Sequence, residues 1–379
     1  MFASLVGVGG FILKPGEEPP QAYCRQEGHP VVPDVFHKLW SGVRCPPVQD
    51  LVSLLSTVLL LRPARVVYTT TYDTWLCWQV RHQEPMGLYI ALHAHKKKRW
   101  FDVQSCHRRL GVERRIINTR DNQTAFANAT REFAAARPNP PSKLPRSSNT
   151  AETGVGKTSA VQMTDILRAY VMLNEGGLYL DGDMFVLSGG EYQTWRRCPT
   201  VVGTSRGTWF PPVRANDSET LNTAAMLAAP GLPFMHAFWE RISKWNGHTK
   251  AQDICCGWPS RYAEQSLAEV GEVVALGQVF PFRLNGSLPQ STREELHGSW
   301  ADEIERMATD GAAVVHLANW KIRTRSQLPV LRAVLARSVR LRGGRDALSD
   351  GERFCLDMAH DWIDFTFECP RNRSRPECA

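Results

Sequence analysis

The sequence has ten cysteines but no Cys-x-x-Cys pair, which excludes a zinc site of the usual ligand spacing. No stretch reaches the roughly 18 to 20 apolar residues that a membrane span requires. Met1 to Leu13 is apolar but short, and no basic segment precedes it as in a secretory signal. Internal repeats are absent. The formal net charge is +7, yet Lys96-Lys97-Lys98-Arg99 is the one dense basic run, and a lone run of that kind is ordinarily a solvated loop. A nucleic-acid partner would call for further basic clusters interleaved with aromatics in a known module, so none is expected. What remains is 379 residues, 43% hydrophobic and 22% charged, the composition of a globular protein with a sizeable core.

One apparent nucleotide motif also falls away. Ala151-Glu152-Thr153-Gly154-Val155-Gly156-Lys157-Thr158 satisfies a permissive phosphate-loop pattern. A working phosphate loop follows a buried strand, which aims backbone amides at the phosphates. Here Pro138-Asn139-Pro140-Pro141 and Arg146-Ser147-Ser148-Asn149 come first, and they make no strand. Gly154 to Thr158 reads instead as the opening of the next helix.

The most informative stretch is Thr164 to Leu187. Ile166, Leu167, Tyr170, Val171 and Leu173 recur at helical spacing, so one face packs inward. Asp165 and Arg168, three apart, share a face. Gly176 stands where a helix ends in a left-handed cap. Leu178-Tyr179-Leu180 and Met184-Phe185-Val186-Leu187 flank Asp181-Gly182-Asp183 as short strands, and Gly182 is expected to let the backbone bend tightly between the acids. Two carboxylates on such a bend can share a divalent cation, the usual grip on a diphosphate.

This run of Thr-Asp-Ile-Leu-Arg, then Gly-Gly-x-Tyr-Leu-Asp-x-Asp, resembles the sugar transferases defined by a DXD motif (glycosyltransferase family 32-like). That family includes fungal α-mannosyltransferases, animal α-1,4-galactosyl- and α-1,4-N-acetylglucosaminyltransferases, and the glucosylating domains of clostridial toxins. Val32-Pro33-Asp34-Val35-Phe36-His37-Lys38-Leu39-Trp40-Ser41-Gly42 is similar to the family's first strand, Ile-Pro-x-Ile-Ile-His-x-Ile-Trp-x-Gly. His37 and Trp40 either pack in the core or, at the strand exit, meet the nucleotide base. Residues 47–61 and 65–70 then read as an amphipathic helix and a buried strand of a βαβ unit in a parallel sheet. Leu88 to Leu92 reads as a further strand. Ligands of such sheets bind at the carboxyl ends, where Trp40 and Thr70 to Tyr72 fall.

Further along, Leu221 to Met235 loosely resembles the family's Asn-Asn-Gly-Val-Met region, with Thr223 and Ala224 replacing the second Asn and the Gly. Phe234, Phe238 and Trp239 follow as a core helix face. Cys255-Cys256-Gly257-Trp258-Pro259 departs from the family's acceptor element. Val273 to Leu276 and Val279 to Phe282 match a family strand, and Ala313-Val314-Val315-His316 a late strand end. The resemblance thus implies a GT-A type α/β fold over residues 31–325, a Rossmann-like, mostly parallel sheet flanked by helices. Residues 1–30 read as a linker or anchor remnant, and 326–379 as an Arg- and Cys-containing extension.

The function implied is a metal-dependent retaining glycosyltransferase. It moves a hexose from a UDP-sugar, or from GDP-mannose, to a hydroxyl of a glycan, glycolipid or protein. By resemblance Asp183 binds Mn²⁺ or Mg²⁺, joined by Asp181 and His316. Asp181, Asp183 and Arg168 are the catalytic candidates, and Trp40, Asp165, Arg168, Tyr179, Asp181 and Asn222 the donor-binding ones. Attack from the leaving-group face needs no covalent carboxylate nucleophile. A non-catalytic glycan- or nucleotide-binding protein, or a toxin-like protein glucosyltransferase, is the alternative. Sequons at Asn122, Asn128, Asn216, Asn285 and Asn372, with the many cysteines, favour the Golgi or secretory lumen. The protein is then expected to be type II membrane-bound, with an anchor that is incomplete here. Cys369 and Cys378 read as a small disulfide loop.

Overall fold

A computed structural model describes residues 12–13, 31–40, 46–70, 88–90, 99–116, 160–190, 192–198, 200–206, 219–243, 273–276, 300–309, 312–316 and 328–368. The first half contributes strands β1 (Ile12–Leu13) and β2 (Val35–Trp40), helix α1 (Val48–Leu61), β3 (Arg65–Thr70), β4 (Leu88–Ile90), β5 (Arg99–Phe101), α2 (Val103–Arg109) and β6 (Glu113–Ile116). Next come α3 (Ala160–Asn174), β7 (Gly177–Leu180), β8 (Met184–Val186), α4 (Tyr192–Trp195), β9 (Thr200–Arg206) and β10 (Glu219–Ala228). The chain continues through α5 (Pro233–Ser243), β11 (Val273–Leu276), α6 (Trp300–Thr309), β12 (Val314–His316), α7 (Leu328–Leu341) and α8 (Asp350–Glu368).

Eight strands form one sheet in the order β1-β11-β9-β10-β7-β2-β3-β6. Only β10 runs against its neighbours; every other pairing is parallel. The fold is therefore the mixed α/β class expected, a mostly parallel sheet flanked by helices. From β2 the chain builds outward through β3 and β6. From β7 it builds the other way, through β10, β9 and β11. The order reverses between β2 and β7, and open α/β sheets bind ligands at the carboxyl ends beside such a reversal. Trp40 closes β2 there, and Asp181 follows β7.

Helices α3 and α5 pack together on one side, with Phe36, Ile166, Leu167, Met172, Leu178, Phe234 and Phe238 in a shared core. Helix α1 is buried almost all round rather than amphipathic as expected, because it lies between two cores and has no solvent face. Its Leu54 and Leu61 join the sheet's core, whereas Val48, Leu51, Val52, Leu55 and Leu59 join a second one. That second core is supplied largely by α6, α7, α8, β8 and β12. A Cys106–Cys355 disulfide ties α2 to α8, and Phe101 stacks on Trp362 at 5.1 Å. Cys369, Cys378, the sequons, Cys255 to Pro259, Val279 to Phe282 and the phosphate-loop-like run lie outside the described residues. Among the described residues no helix is long and apolar enough to cross a membrane.

Candidate active site

Two glycines bring β7 into the sheet. Helix α3 stops at Asn174, and Gly176 N–H donates back to the Met172 carbonyl at 3.2 Å. Gly176 has φ +63° and Gly177 φ +99°, left-handed values that side chains rarely adopt. Space is short as well. A Cβ on Gly176 would lie 2.6 Å from the Ala228 carbonyl oxygen, and one on Gly177 2.5 Å from that of Val35.

Beyond β7, Asp181-Gly182-Asp183-Met184 forms a β-turn, closed by Met184 N–H donating to the Asp181 carbonyl at 3.1 Å. Gly182 serves it differently from the sequence expectation. Its φ is not positive; instead a Cβ there would sit 3.0 Å from Asp50 Oδ1 of α1. The glycine leaves room for the Asp50 carboxylate of α1 rather than supplying backbone freedom.

Strand β8 leaves the turn and pairs antiparallel with β12, Met184 facing His316. That register puts His316 Nε2 3.3 Å from Asp183 Oδ1. Asp181, Asp183 and His316 each offer a ligand atom, all within 4.8 Å of one another. Two carboxylates and an imidazole suit Mn²⁺ better than Mg²⁺, which prefers oxygen throughout.

Arg168, only 2% exposed, ion-pairs with Asp165 and, at 3.3 Å, with Asp181 Oδ1. Its guanidinium also lies 5.3 Å from the centre of the Tyr179 ring. The Asp165–Arg168 pair is thus an internal strut and not a surface i,i+3 bridge. Tyr179 packs beneath the turn, and its hydroxyl donates to Asp181 Oδ1. Among the described residues no hydrogen bond or ion pair engages Asp181 Oδ2.

Burial is the chief force raising the Asp165 carboxyl, to about 6; Arg168 opposes it and Asp181 adds to it. The Asp181 carboxyl is also raised, first by burial and then by Asp183, against the pull of Arg168, Tyr179 and His316. The Asp181 side chain keeps 30% exposure, so it is enclosed by protein yet reachable from solvent. Three carboxylates and one guanidinium leave two negative charges, which a divalent cation would offset.

Trp40 and Asn222 lie on β2 and β10, the two strands that flank β7. Trp40 ends β2 partly buried, paired in register with Thr70 and packed on the core. His37 is fully buried, and desolvation pushes its imidazole down to about 4, so it is a neutral core residue. Asn222 lies in β10 opposite Gly203. It stands two residues before Ala224, whose carbonyl accepts from Asp181 N–H at 2.8 Å. Its strand thus runs past the Asp-Gly-Asp turn.

Sequence reasoning missed Lys38, Asp50, Ser53 and Tyr68, which sit together beneath the turn. One signal was available: a lysine inside a buried parallel strand needs a partner.

No protein-family model and no curated protein sequence matches the chain. Among solved structures it is similar to one described as PaToxG Glycosyltransferase, at 10% identity and TM-score 0.41, over 90% of this chain and 89% of that one. It is also similar to the glycosyltransferase GlyE of Streptococcus pneumoniae TIGR4, at 9% identity and TM-score 0.36, over 88% of this chain and 63% of that one. The apo form of GlyE gives 8% identity and TM-score 0.37, over 89% and 64%. The chain therefore spans under two thirds of either GlyE chain.

Proposed function

We propose that this chain is a metal-dependent retaining glycosyltransferase. It moves a hexose from a nucleotide-sugar, a UDP-sugar ahead of GDP-mannose, to a hydroxyl of a glycan, glycolipid or protein. The observation that carries the reading is the Asp181–Asp183–His316 cluster at the carboxyl edge of the sheet, where the strand order reverses. Retention rests on the motif resemblance.

In this reading Asp183 and His316 hold Mn²⁺, and Asp181 completes the protein's share of the ligands. When bound, the cation neutralises charge building on the departing diphosphate. Tyr179 keeps its proton, because burial raises its phenol well above the ordinary range. It therefore goes on donating to Asp181 and holds that carboxylate in one orientation. Arg168, braced by Asp165, faces the diphosphate side, and Asp165 the sugar hydroxyls. Trp40 walls the base, and Asn222 lies on the donor side. The buried Cys106–Cys355 disulfide supports an oxidising compartment, which we take as the Golgi or secretory lumen.

Donor hydrolysis tests the reading. The purified chain and Asp183→Ala are incubated with UDP-Gal, UDP-Glc, UDP-GlcNAc and GDP-Man, in Mn²⁺ or EDTA. Mn²⁺-dependent release of UDP or GDP from one donor, lost in the variant, is expected. Silence with all four donors, together with no metal-dependent nucleotide binding, would sink it.

A further inference from the structure

Lysine is almost never fully buried unless paired, and Lys38 is 0% exposed in the middle of β2. Its Nζ lies 3.2 Å from Asp50 Oδ1, donates to Ser53 Oγ at 2.7 Å and donates to the Asp181 carbonyl at 3.2 Å. Asp50 is buried too, and its Oδ2 accepts from the Tyr68 hydroxyl at 2.7 Å. Register explains the convergence. Lys38 faces Tyr68 across β2 and β3, so both side chains leave the same face of the sheet. Helix α1 meets them there with Asp50 and Ser53.

The β2–β7 ladder consists of two pairs, Phe36 with Leu178 and His37 with Tyr179. Past it, the Lys38 ammonium links β2 to the exit of β7. The carbonyl it grips is the one that closes the Asp181–Met184 turn. Asp50 Oδ1, on the other side of that ammonium, is the atom that backs Gly182. One buried ion pair therefore bears on the turn at two successive residues: its ammonium bonds the Asp181 carbonyl, and its carboxylate fills the space that a Gly182 side chain would need. The pair is neutral as a unit and adds nothing to the site's net charge, so its contribution is geometric.

We propose that Lys38, held by Asp50 and Ser53, is a positioning residue that sets the spacing of Asp181 and Asp183 for a divalent cation. This rests on the metal-dependent reading of the same site. The probe is Mn²⁺, titrated by electron paramagnetic resonance in the presence of UDP or GDP, with thermal midpoints recorded alongside. Lys38→Met strands a buried Asp50 and is expected to lose stability. The double variant Lys38→Met/Asp50→Asn removes both charges and is expected to regain most of the midpoint. It should still bind Mn²⁺ at least about tenfold more weakly than the parent chain. Ser53→Ala keeps both charges and is expected to weaken Mn²⁺ about threefold at a near-parental midpoint. Parental Mn²⁺ affinity in Ser53→Ala, or in a double variant with a regained midpoint, would overturn the proposal. A parent chain that binds no Mn²⁺ with either nucleotide overturns the metal-dependent reading and this proposal with it.

Discussion

Met184 and His316 face each other across the antiparallel β8–β12 pair, and through that register Asp183 Oδ1 comes within 3.3 Å of His316 Nε2. Strand pairing, not chain proximity, thus completes the proposed cation site. His316→Ala removes one of three ligands from a partly exposed position. The expected result is Mn²⁺ affinity at least about tenfold weaker, about 1.4 kcal/mol, with an unchanged thermal midpoint. Unchanged affinity would remove His316 from the site.

Arg168 balances two carboxylates while almost sealed from solvent. Removing it leaves Asp165 and Asp181 without their cation, and breaking a buried pair typically costs about 3–5 kcal/mol. Arg168→Met should therefore lower urea stability by that order. Arg168→Lys should recover little, because one ammonium cannot reproduce the fork that reaches both acids. Full recovery by lysine would mean that only charge matters there.

Two buried histidines make the fold acid-sensitive. Desolvation holds His37 at about 4 and His107 at about 3, the latter with Arg114 adding to the push. Unfolded, each takes a proton near pH 6.5. The folded state then binds fewer protons, so stability is full above pH 6.5 and is lost as pH falls towards 4. Each histidine contributes a slope of about 1.4 kcal/mol per pH unit. Asp165, raised to about 6, opposes this fall below pH 6 because it takes up its proton more readily when folded. The histidine contribution is therefore read by comparison: urea midpoints measured from pH 7 to 4.5 should fall less steeply in His107→Leu than in the parent chain. Equal slopes in the two would contradict the burial assigned to His107.

The Cys106–Cys355 disulfide joins residues 249 apart in sequence and fastens α8 to α2. Its removal in Cys106→Ala/Cys355→Ala should lower stability by about 2–4 kcal/mol, seen as an earlier thermal midpoint. The parent chain in strong reductant should shift the same way. No shift in either would leave the packing of α7 and α8 on α1 sufficient by itself.

What the sequence disclosed was local. Helical spacing from Ile166 to Leu173, the Gly176–Gly177 stop and the Asp181–Asp183 spacing are short-range patterns, and each appears at its expected place. The i,i+3 offset of Asp165 and Arg168 likewise gave their contact. Lys38 and Asp50 were illegible, because their meeting depends on β2–β3 register and on how α1 lies over the sheet. Docking of α7 and α8 against α1 was equally hidden, since an amphipathic helix does not name its partner. Gly182 stands at the turn as expected, but what it makes room for is the Asp50 carboxylate of a distant helix, which local sequence does not show.

In the proposed function Asp181, Asp183 and His316 hold a divalent cation that carries a nucleoside diphosphate. Calorimetric titration of UDP and GDP into the chain, with Mn²⁺ and with EDTA, tests it most directly, with Asp183→Ala run in parallel. One nucleotide is expected to bind only when Mn²⁺ is present, and to lose that binding in the variant. Equal affinity in EDTA, or an Asp183→Ala chain that binds as the parent does, would contradict it.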